Sequence, residues 1–241
     1  MITMKACIII PTYNEKENIG GLLEELLEGF KKIKNFDMSI LVVDDNSPDG
    51  TQEIVKKYLD SKQIFMLTGE KNGLGSAYIK GFNYVLDKLK ADVLFEMDAD
   101  FSHKPEDVPK FLKEIENGYD FVIGSRYISG GEIPDWGFIR KSISSGGNFF
   151  ARIVAGLYTV HDCTSGFRAI RTDLIKQIKL DKLEVEGYAF QMNLLHNAIK
   201  LGAKIKEIPI VFNDRNLGTS KMRLKDLREF FFNSFKLRFK K

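Results

Sequence analysis

Two acidic pairs in this chain sit where chemistry is commonly done. Asp98-Ala99-Asp100 closes the strand-like run Val93–Met97, and Asp44-Asp45 follows the apolar run Ile40–Val43. Two carboxylates at i and i+2 on a strand end can share one hard divalent cation and, with it, the oxygens of a diphosphate. All-oxygen ligation suits Mg²⁺ or Mn²⁺. An isolated Asp-x-Asp is better explained as a solvated turn, because acidic pairs in loops are common; its strand-end position opposite a second acidic loop moves the reading towards a metal site. His103 could extend the shell, or be a plain loop residue before Lys104-Pro105. For Asp44 and Asp45 two readings stand evenly. They bond the amides of their own turn, or they hold a ribose or base, as acids do at strand ends of nucleotide folds.

No G-x-x-x-x-G-K-S/T and no G-x-G-x-x-G opening a helix occurs in the chain. A nucleotide here would need a metal and basic side chains for its phosphates. The candidates are Arg126, Arg140, Lys141, Arg215 and Lys221, each of which, taken singly, is an ordinary surface residue. Arg126 and Arg215 stand out, one directly after a strand-like run and one in a Gly-containing loop, because arginine suits bidentate phosphate recognition.

These residues need elements to position them. Ala6–Ile10 reads as a buried strand stopped by Pro11, and Ile40–Val43, Ile64–Leu67, Val93–Met97 and Phe121–Gly124 read likewise. Ile19, Leu22, Leu23, Leu26, Leu27, Phe30 and Ile33 repeat at helical spacing, with Thr12 or Asn14 available as a cap. Further helices are expected from about Thr51, from Ser76 to about Leu89, and after Pro105, which suits a first turn. Alternating strands and helices over the first 125 residues predict an α/β fold with a mostly parallel sheet covered on both faces. Ligands of such sheets bind outside the carboxyl ends of the strands, and Pro11–Glu15, Asp44–Asp49, Asp98–Ser102 and Ser125–Tyr127 all fall there. Residues 126–150 hold five glycines and read as a long loop. Asn148–Thr159 and Glu186–Leu201 are expected helices, Phe167–Ile170 and Lys204–Val211 strands, Asp214–Lys221 a polar loop, and 223–239 a last helix.

The composition supports one sizeable core: 241 residues, 44% hydrophobic and 12% aromatic, too apolar for a disordered chain. No apolar run approaches a membrane span, and no N-terminal stretch has the signal-peptide pattern. Two cysteines make no disulfide framework, so a reducing compartment is expected. The net charge of +3 averages two regions. Residues 215–241 carry nine Lys/Arg against two acids, while residues 1–214 carry 27 against 31. A basic tail on a mildly acidic body points either to a solvated helix face or to an anionic partner.

Three motifs together resemble the GT-A glycosyltransferases of family 2: Ile8-Ile9-Ile10-Pro11-Thr12-Tyr13-Asn14-Glu15, Val42-Val43-Asp44-Asp45-Asn46-Ser47-Pro48-Asp49-Gly50-Thr51, and Met97-Asp98-Ala99-Asp100-Phe101-Ser102-His103. Gly124-Ser125-Arg126-Tyr127, Thr164-Ser165-Gly166-Phe167-Arg168, Gly187-Tyr188-Ala189-Phe190-Gln191 and Asp214-Arg215-Asn216-Leu217-Gly218-Thr219-Ser220-Lys221-Met222 narrow the resemblance to the dolichyl-phosphate (polyprenyl-phosphate) mannosyltransferase branch. The likeness runs from about residue 5 to residue 222. It implies a Rossmann-like GT-A domain over 1–222, followed by a basic amphipathic helix over 223–241.

The resemblance also implies the site. Pro11, Tyr13, Glu15, Val43 and Asp45 line the guanine-nucleotide pocket. Asp98 and Asp100 carry Mg²⁺ or Mn²⁺ on the donor diphosphate, with Ala99 contributing backbone. Arg126 and Arg140 meet the acceptor lipid phosphate, and Arg215 and Lys221 close over the phosphates. Asp100, Arg126, Arg215 and Lys221 are thus the residues expected at the reacting centre. The implied reaction transfers mannose from GDP-mannose to a dolichyl or polyprenyl phosphate with inversion, at the cytoplasmic face of a membrane, with a small membrane-anchor subunit as a further partner and no nucleic acid. Ser102 stands where some relatives have a Gln in the metal shell, and Asn193 where many have Glu. Some relatives continue into transmembrane helices; this chain reads as the form relying on a membrane partner, or as a shortened one. Alternatives are a family-2 transferase using UDP-glucose or a non-lipid acceptor, and a nucleotide-binding or membrane-docking module without turnover. In the last 19 residues, five Phe among the bases fit a helix at an anionic membrane, or equally a helix packed on the body.

Overall fold

A computed structural model of the chain describes residues 3–183, 187–213 and 234–239. Its strands are β1 (Met4–Thr12), β2 (Phe36–Asp44), β3 (Ile64–Thr68), β4 (Val93–Glu96), β5 (Phe121–Ser125), β6 (Arg168–Arg171) and β7 (Ile205–Pro209). The α-helices are α1 (Lys16–Phe30), α2 (Thr51–Lys56), α3 (Leu74–Tyr84), α4 (Val108–Glu116), α5 (Phe138–Ala155), α6 (Thr172–Ile175) and α7 (Gly187–Lys200). The strands form one sheet in the order β3-β2-β1-β4-β6-β5-β7. Among the described strands only β6 runs against the rest, pairing antiparallel with both β4 and β5, so the mostly parallel α/β architecture holds.

Period-two alternation divides the strand side chains between two buried layers. Cys7, Ile9, Leu41 and Val43 face α3, α5 and α7 through Tyr78, Phe82, Ala151, Ala155 and Phe190. Ala6, Ile8, Ile10, Ile40 and Val42 face α1 and α4 through Leu22, Leu23, Leu26, Phe111 and Leu112. The register pairs Thr12 with Asp44 and Asp44 with Thr68, so β1, β2 and β3 end together at one edge. Met97–Asp100 emerges from β4 at that edge as well.

Several local expectations change. Residues 126–150 are not one long loop: α5 begins at Phe138 and runs eighteen residues through Gly146-Gly147. It buries small residues, Asn148, Ala151 and Ala155, and turns Phe138, Ile139, Ile143, Phe149 and Ile153 outward. The sequence periodicity therefore marks the wrong face, and two mid-helix glycines, each worth about 1 kcal/mol against helix, mask the rest. The helix ends at Ala155, not Thr159, on the left-handed Gly156. The α1 cap also differs. Thr12 Oγ1 donates to Asp44 Oδ2 at 2.8 Å, Asn14 is left-handed at φ 60°, and Glu15 takes the cap position without a side-chain cap bond. The helix expected from Ser76 to about Leu89 is α3, which starts at Leu74 and gives way after Tyr84 to a π turn over Val85–Leu89.

Of the expected final helix, 234–239 is described and is helical; 223–233 and 240–241 lie outside the described residues. Ser234 and Leu237 are buried, the Phe235 ring meets Phe150 edge-on at 5.8 Å, and Arg238 Nη1 donates to Tyr158 Oη at 3.0 Å. This segment therefore sits on the body beside α5. No helix among the described residues is long and apolar enough to cross a membrane.

Candidate active site

A cleft of about 340 Å³ opens at the carboxyl edge of β1, β2 and β4. It is lined on one side by Pro11, Tyr13, Glu15, Asp45, Lys71 and Gly73, and on the other by Asp98, Ala99, Asp100, Thr164, Gly166 and Gln191. Most of the expected donor-side residues thus converge. Val43 does not: its side chain is buried in the layer below, facing Gly81 and the neighbouring core.

The two adjacent acids after β2 divide the two readings between them. Asp44 is fully buried and accepts hydrogen bonds from Thr12 Oγ1, from Ser47 N and Oγ, and from Gln52 Nε2. It staples the turn. Asp45 points into the cleft, with Lys80 Nζ at 3.6 Å. Burial raises its carboxyl pKa, and the Lys80 charge only partly opposes this. Lys71 Nζ lies 3.3 Å from the Tyr13 ring centroid, so a cation and an aromatic face stand together at this end.

At the other end the chain after β4 folds back sharply. Phe101 is left-handed at φ 62°, a strained conformation for a bulky residue. The bend lets Asp100 Oδ1 accept from Ser102 N at 3.1 Å and Ser102 Oγ at 2.6 Å. Asp98 N donates to His103 Nδ1 at 3.2 Å, which places the imidazole proton on Nε2. His103 is buried, stacked on Phe167 at 4.9 Å; burial lowers its pKa to about 4, although the Asp100 charge pulls the other way. Its Nδ1 is spent on the backbone, so it acts as a neutral prop for Asp98.

Among the described residues no group of three or more His, Cys, Asp or Glu gathers to hold a cation alone. The pair nevertheless fits one. Gly166 faces the Asp98 carboxylate: a Cβ there would make ordinary contact with Oδ2 at 3.5 Å, space that the glycine leaves open beside the carboxylate. Two carboxylates beside an open cleft suit a hard cation that takes its remaining ligands from diphosphate oxygens and water.

Beneath the cleft, Glu96 and Arg168 are both fully buried, with Oε2 and Nε 3.7 Å apart. Burial raises the Glu96 pKa to about 7, while the Arg168 charge and Gln191 act to lower it. Arg168 spends Nη1 on Gln191 O and Nη2 on Cys163 O, tying α7 to the 163–166 segment.

A second cavity, about 420 Å³, lies between the β5 end and α5, lined by Arg126, Tyr127, Glu132, Ile133, Lys141 and Ser145, among others. Arg126 is thus placed at a cavity, in a bidentate ion pair with Asp162. Burial alone would raise the Asp162 pKa; the Arg126 charge and its hydrogen bonds outweigh that and hold it below the usual range. Of the two adjacent bases on α5, Lys141 lines the cavity and Arg140 stacks on Trp136 at 3.9 Å. Arg215 and Lys221 lie outside the described residues.

Nothing in the sequence marks Lys71 and Gly73 as site residues, and Thr164 and Gly166 enter there only within a motif of the resemblance, with no site role. Asp162 had no local signal.

Residues 7–179 match the family described as Glycosyl transferase family 2. Polyprenol monophosphomannose synthase of Mycolicibacterium smegmatis is 38% identical over 95% of this chain and 85% of its own. Undecaprenyl-phosphate mannosyltransferase of Micrococcus luteus is 42% identical over 91% and 88%. Dolichol-phosphate mannosyltransferase of Pyrococcus furiosus is 38% identical over 97% and 64%. Among solved structures, glucosyl-3-phosphoglycerate synthase of Mycobacterium tuberculosis superposes with a TM-score of 0.69 at 16% identity, over 97% of this chain and 80% of that one. Mannosyl-3-phosphoglycerate synthase of Rubrobacter xylanophilus gives 0.67 at 19%, over 98% and 73%. Those two likenesses establish the GT-A fold. With the family match and the relatives at 38–42% identity, they make the chain a glycosyltransferase belonging to glycosyl transferase family 2, on its polyprenyl-phosphate mannosyltransferase branch.

Proposed function

We propose that this enzyme transfers mannose from GDP-mannose to a polyprenyl or dolichyl phosphate, with inversion at the anomeric carbon. The observation that carries the reading is the pairing of two sites: a cleft ending in Asp98 and Asp100, and a separate cavity presenting Arg126 and Lys141 across the Thr164 wall. The names of the relatives, which are polyprenol, undecaprenyl and dolichol phosphate mannosyltransferases, support the lipid acceptor and the sugar.

Pro11, Tyr13, Glu15, Asp45 and Lys71 bind the nucleoside, and Val43 supports that wall from below. Asp98 and Asp100, with the Ala99 backbone, hold the donor diphosphate through Mg²⁺ or Mn²⁺, which supplies charge neutralisation for the leaving group. A cation at such a site has a parallel in the glucosyl-3-phosphoglycerate synthase complexes with Mn²⁺ and UDP-glucose. Arg215 and Lys221 close over the phosphates. Arg126 and Arg140 orient the acceptor phosphate, Arg126 together with Lys141 from the second cavity and Arg140, next to Lys141 in sequence, from its stack on Trp136.

That acceptor is a monoester with a second pKa near about 6. At neutral pH it is already an oxyanion and needs no general base. Its oxygen forms the bond to C1 of mannose while the bond from C1 to the β-phosphate oxygen breaks, the electron pair leaving with GDP. The protein's work is alignment and neutralisation.

The lipid substrate requires a membrane surface, at the cytoplasmic face and without a span in the described residues. The outer face of α5 with the 234–239 helix fits that contact. Phe138 is 85% exposed and Phe239 80%, Ile139, Ile143, Phe149 and Ile153 share the surface, and α5 has three bases and no acid. A small anchor subunit is a further candidate partner. Residues 1–222 form the catalytic unit in this reading, and 223–241 its membrane-facing appendage.

The decisive assay offers GDP-mannose and UDP-glucose, each with polyprenyl phosphate and Mg²⁺ or Mn²⁺. Mannosyl-lipid formation from GDP-mannose, abolished in Asp98→Ala and Asp100→Ala, is expected. Glucosyl transfer instead, or full activity in Asp98→Ala, refutes the proposal.

A further inference from the structure

We propose that Asp162 is the positioning residue for Arg126, fixing that arginine between the two cavities. The inference rests on the acceptor-side reading above and adds the group that makes it geometrically possible.

Arginine carries a long flexible chain, whose ordering costs up to about 2 kcal/mol. Arg126 directly follows β5, and Asp162 removes that freedom at both ends of the residue. Asp162 Oδ2 accepts from the Arg126 backbone N at 3.1 Å and from Nε at 2.7 Å, and Oδ1 accepts from Nη2 at 2.8 Å. Main chain and guanidinium are clamped by one carboxylate.

The carboxylate is itself anchored. Its own N–H donates to Glu207 Oε1 and that of His161 to Glu207 Oε2, each at 2.8 Å. Glu207 stands on β7, hydrogen-bonded to β5 in the sheet. Arg126 is thereby referred back to the strand it leaves, through a closed path of hydrogen bonds.

The same cluster reaches the donor cleft. Thr164 Oγ1 accepts from Arg126 Nη2 and from Asn148 Nδ2, both at 3.0 Å, and donates to Asp162 Oδ1 at 3.4 Å. Thr164 lines the donor cleft, Arg126 lines the second cavity, and Asn148 belongs to α5, whose next-turn carbons are core. An ion pair with a fully buried carboxylate and a mostly buried guanidinium is a poor way to gain stability, because desolvation offsets the attraction. It is a good way to hold a guanidinium in one place.

The test uses the full chain with GDP-mannose and polyprenyl phosphate, measuring KM for each substrate, kcat and the thermal midpoint in Asp162→Asn, Arg126→Gln and the double variant. Asp162→Asn should raise acceptor KM by about 10- to 100-fold, the scale of an ångström-sized misplacement, with donor KM within twofold. The double variant should be no worse than Arg126→Gln alone. A purely structural role would lower the midpoint and kcat, leave acceptor KM unchanged, and multiply with Arg126→Gln; that result overturns the proposal. If Asp162→Asn does not fold, Glu207→Gln, which lines neither cavity, takes its place: acceptor KM severalfold higher supports the proposal and unchanged acceptor KM overturns it. An Arg126→Gln variant with normal acceptor KM overturns the acceptor-side reading itself, a separate outcome.

Discussion

Gly81→Ala tests how the core layer supports the donor cleft. Gly81 lies on α3 where the helix crosses the sheet, and an added Cβ would meet Ile9 Cγ2 at 2.7 Å and Val43 Cγ2 at 3.4 Å. Both partners are buried β-branched residues on neighbouring strands, with stiff side chains, so the helix must lift. Overpacking of this kind costs about 1–3 kcal/mol, and a 2.7 Å contact with a stiff buried side chain puts this site in the upper part, about 2–3 kcal/mol. Alanine regains about 1 kcal/mol of helix propensity over glycine, leaving a net loss of about 1–2 kcal/mol. For a chain of this size that lowers the melting midpoint by roughly 2–8 °C. The lift is also felt in the cleft. Gly73, Leu74 and Ala77 at the start of α3 line it, and Ile9 and Val43 each precede a lining residue, Pro11 and Asp45, by two. GDP affinity should fall in parallel. Gly29→Ala is the control, because nothing lies within 4 Å of its Cβ position on α1; it should stabilise by up to about 1 kcal/mol. Urea unfolding and calorimetric titration of GDP read both effects. A Gly81→Ala protein as stable as wild type, or a Gly29→Ala protein equally weakened, would refute the reasoning.

Three further outcomes follow from the geometry. Asp44→Ala should destabilise by about 2–3 kcal/mol, since it orphans the partners of a buried charged acceptor, whereas Asp45→Ala should unfold near the wild-type urea midpoint yet bind GDP more weakly; equal behaviour of the two contradicts their assigned roles. Burial raises the pKa of Cys7 and Cys163 to about 12, so the reactive thiolate is scarce below that pH. Disulfide reagent at pH 8 should therefore label neither in the native protein and both in urea; rapid native labelling would show the burial to be wrong. Phe138→Ser with Ile143→Ser should weaken sedimentation with anionic vesicles, and added salt should weaken the wild type, because the exposed apolar face belongs to a helix whose charged residues, Arg140, Lys141 and Arg152, are all basic; unchanged sedimentation rules this face out.

Legibility in the sequence tracked how local each determinant is. α1 could be read because its apolar residues are the ones it buries. Of α5 only the part from Asn148 on could be read, because the helix buries Asn148 and two alanines and exposes its large apolar residues. The reversed direction of β6 is absent from Arg168-Ala169-Ile170-Arg171, which reads alike both ways, and is set by its two neighbours. The Asp98/Asp100 pair was visible as a strand-end spacing. Asp44 and Asp45 were indistinguishable until the fold sent adjacent side chains in different directions, one to the turn and one to the cleft. Asp162 is a single acid in a polar stretch, and its meaning comes from Arg126, 36 positions away.

The single reversed strand has a consequence for how this scaffold can diversify. β4 is entered by a crossover from the far end of the sheet, as parallel strands require. The chain from β5 to β6 makes no such traverse: it leaves and re-enters at the catalytic edge. The stretch from Arg126 to Asp162, including α5 and most of the second cavity, is one excursion hung on that edge like an interchangeable cartridge, closed by Thr164 and Gly166, which wall the donor cleft. Its outer length and apolar surface can be recast for a different acceptor without re-threading the sheet or disturbing the loops that grip the donor.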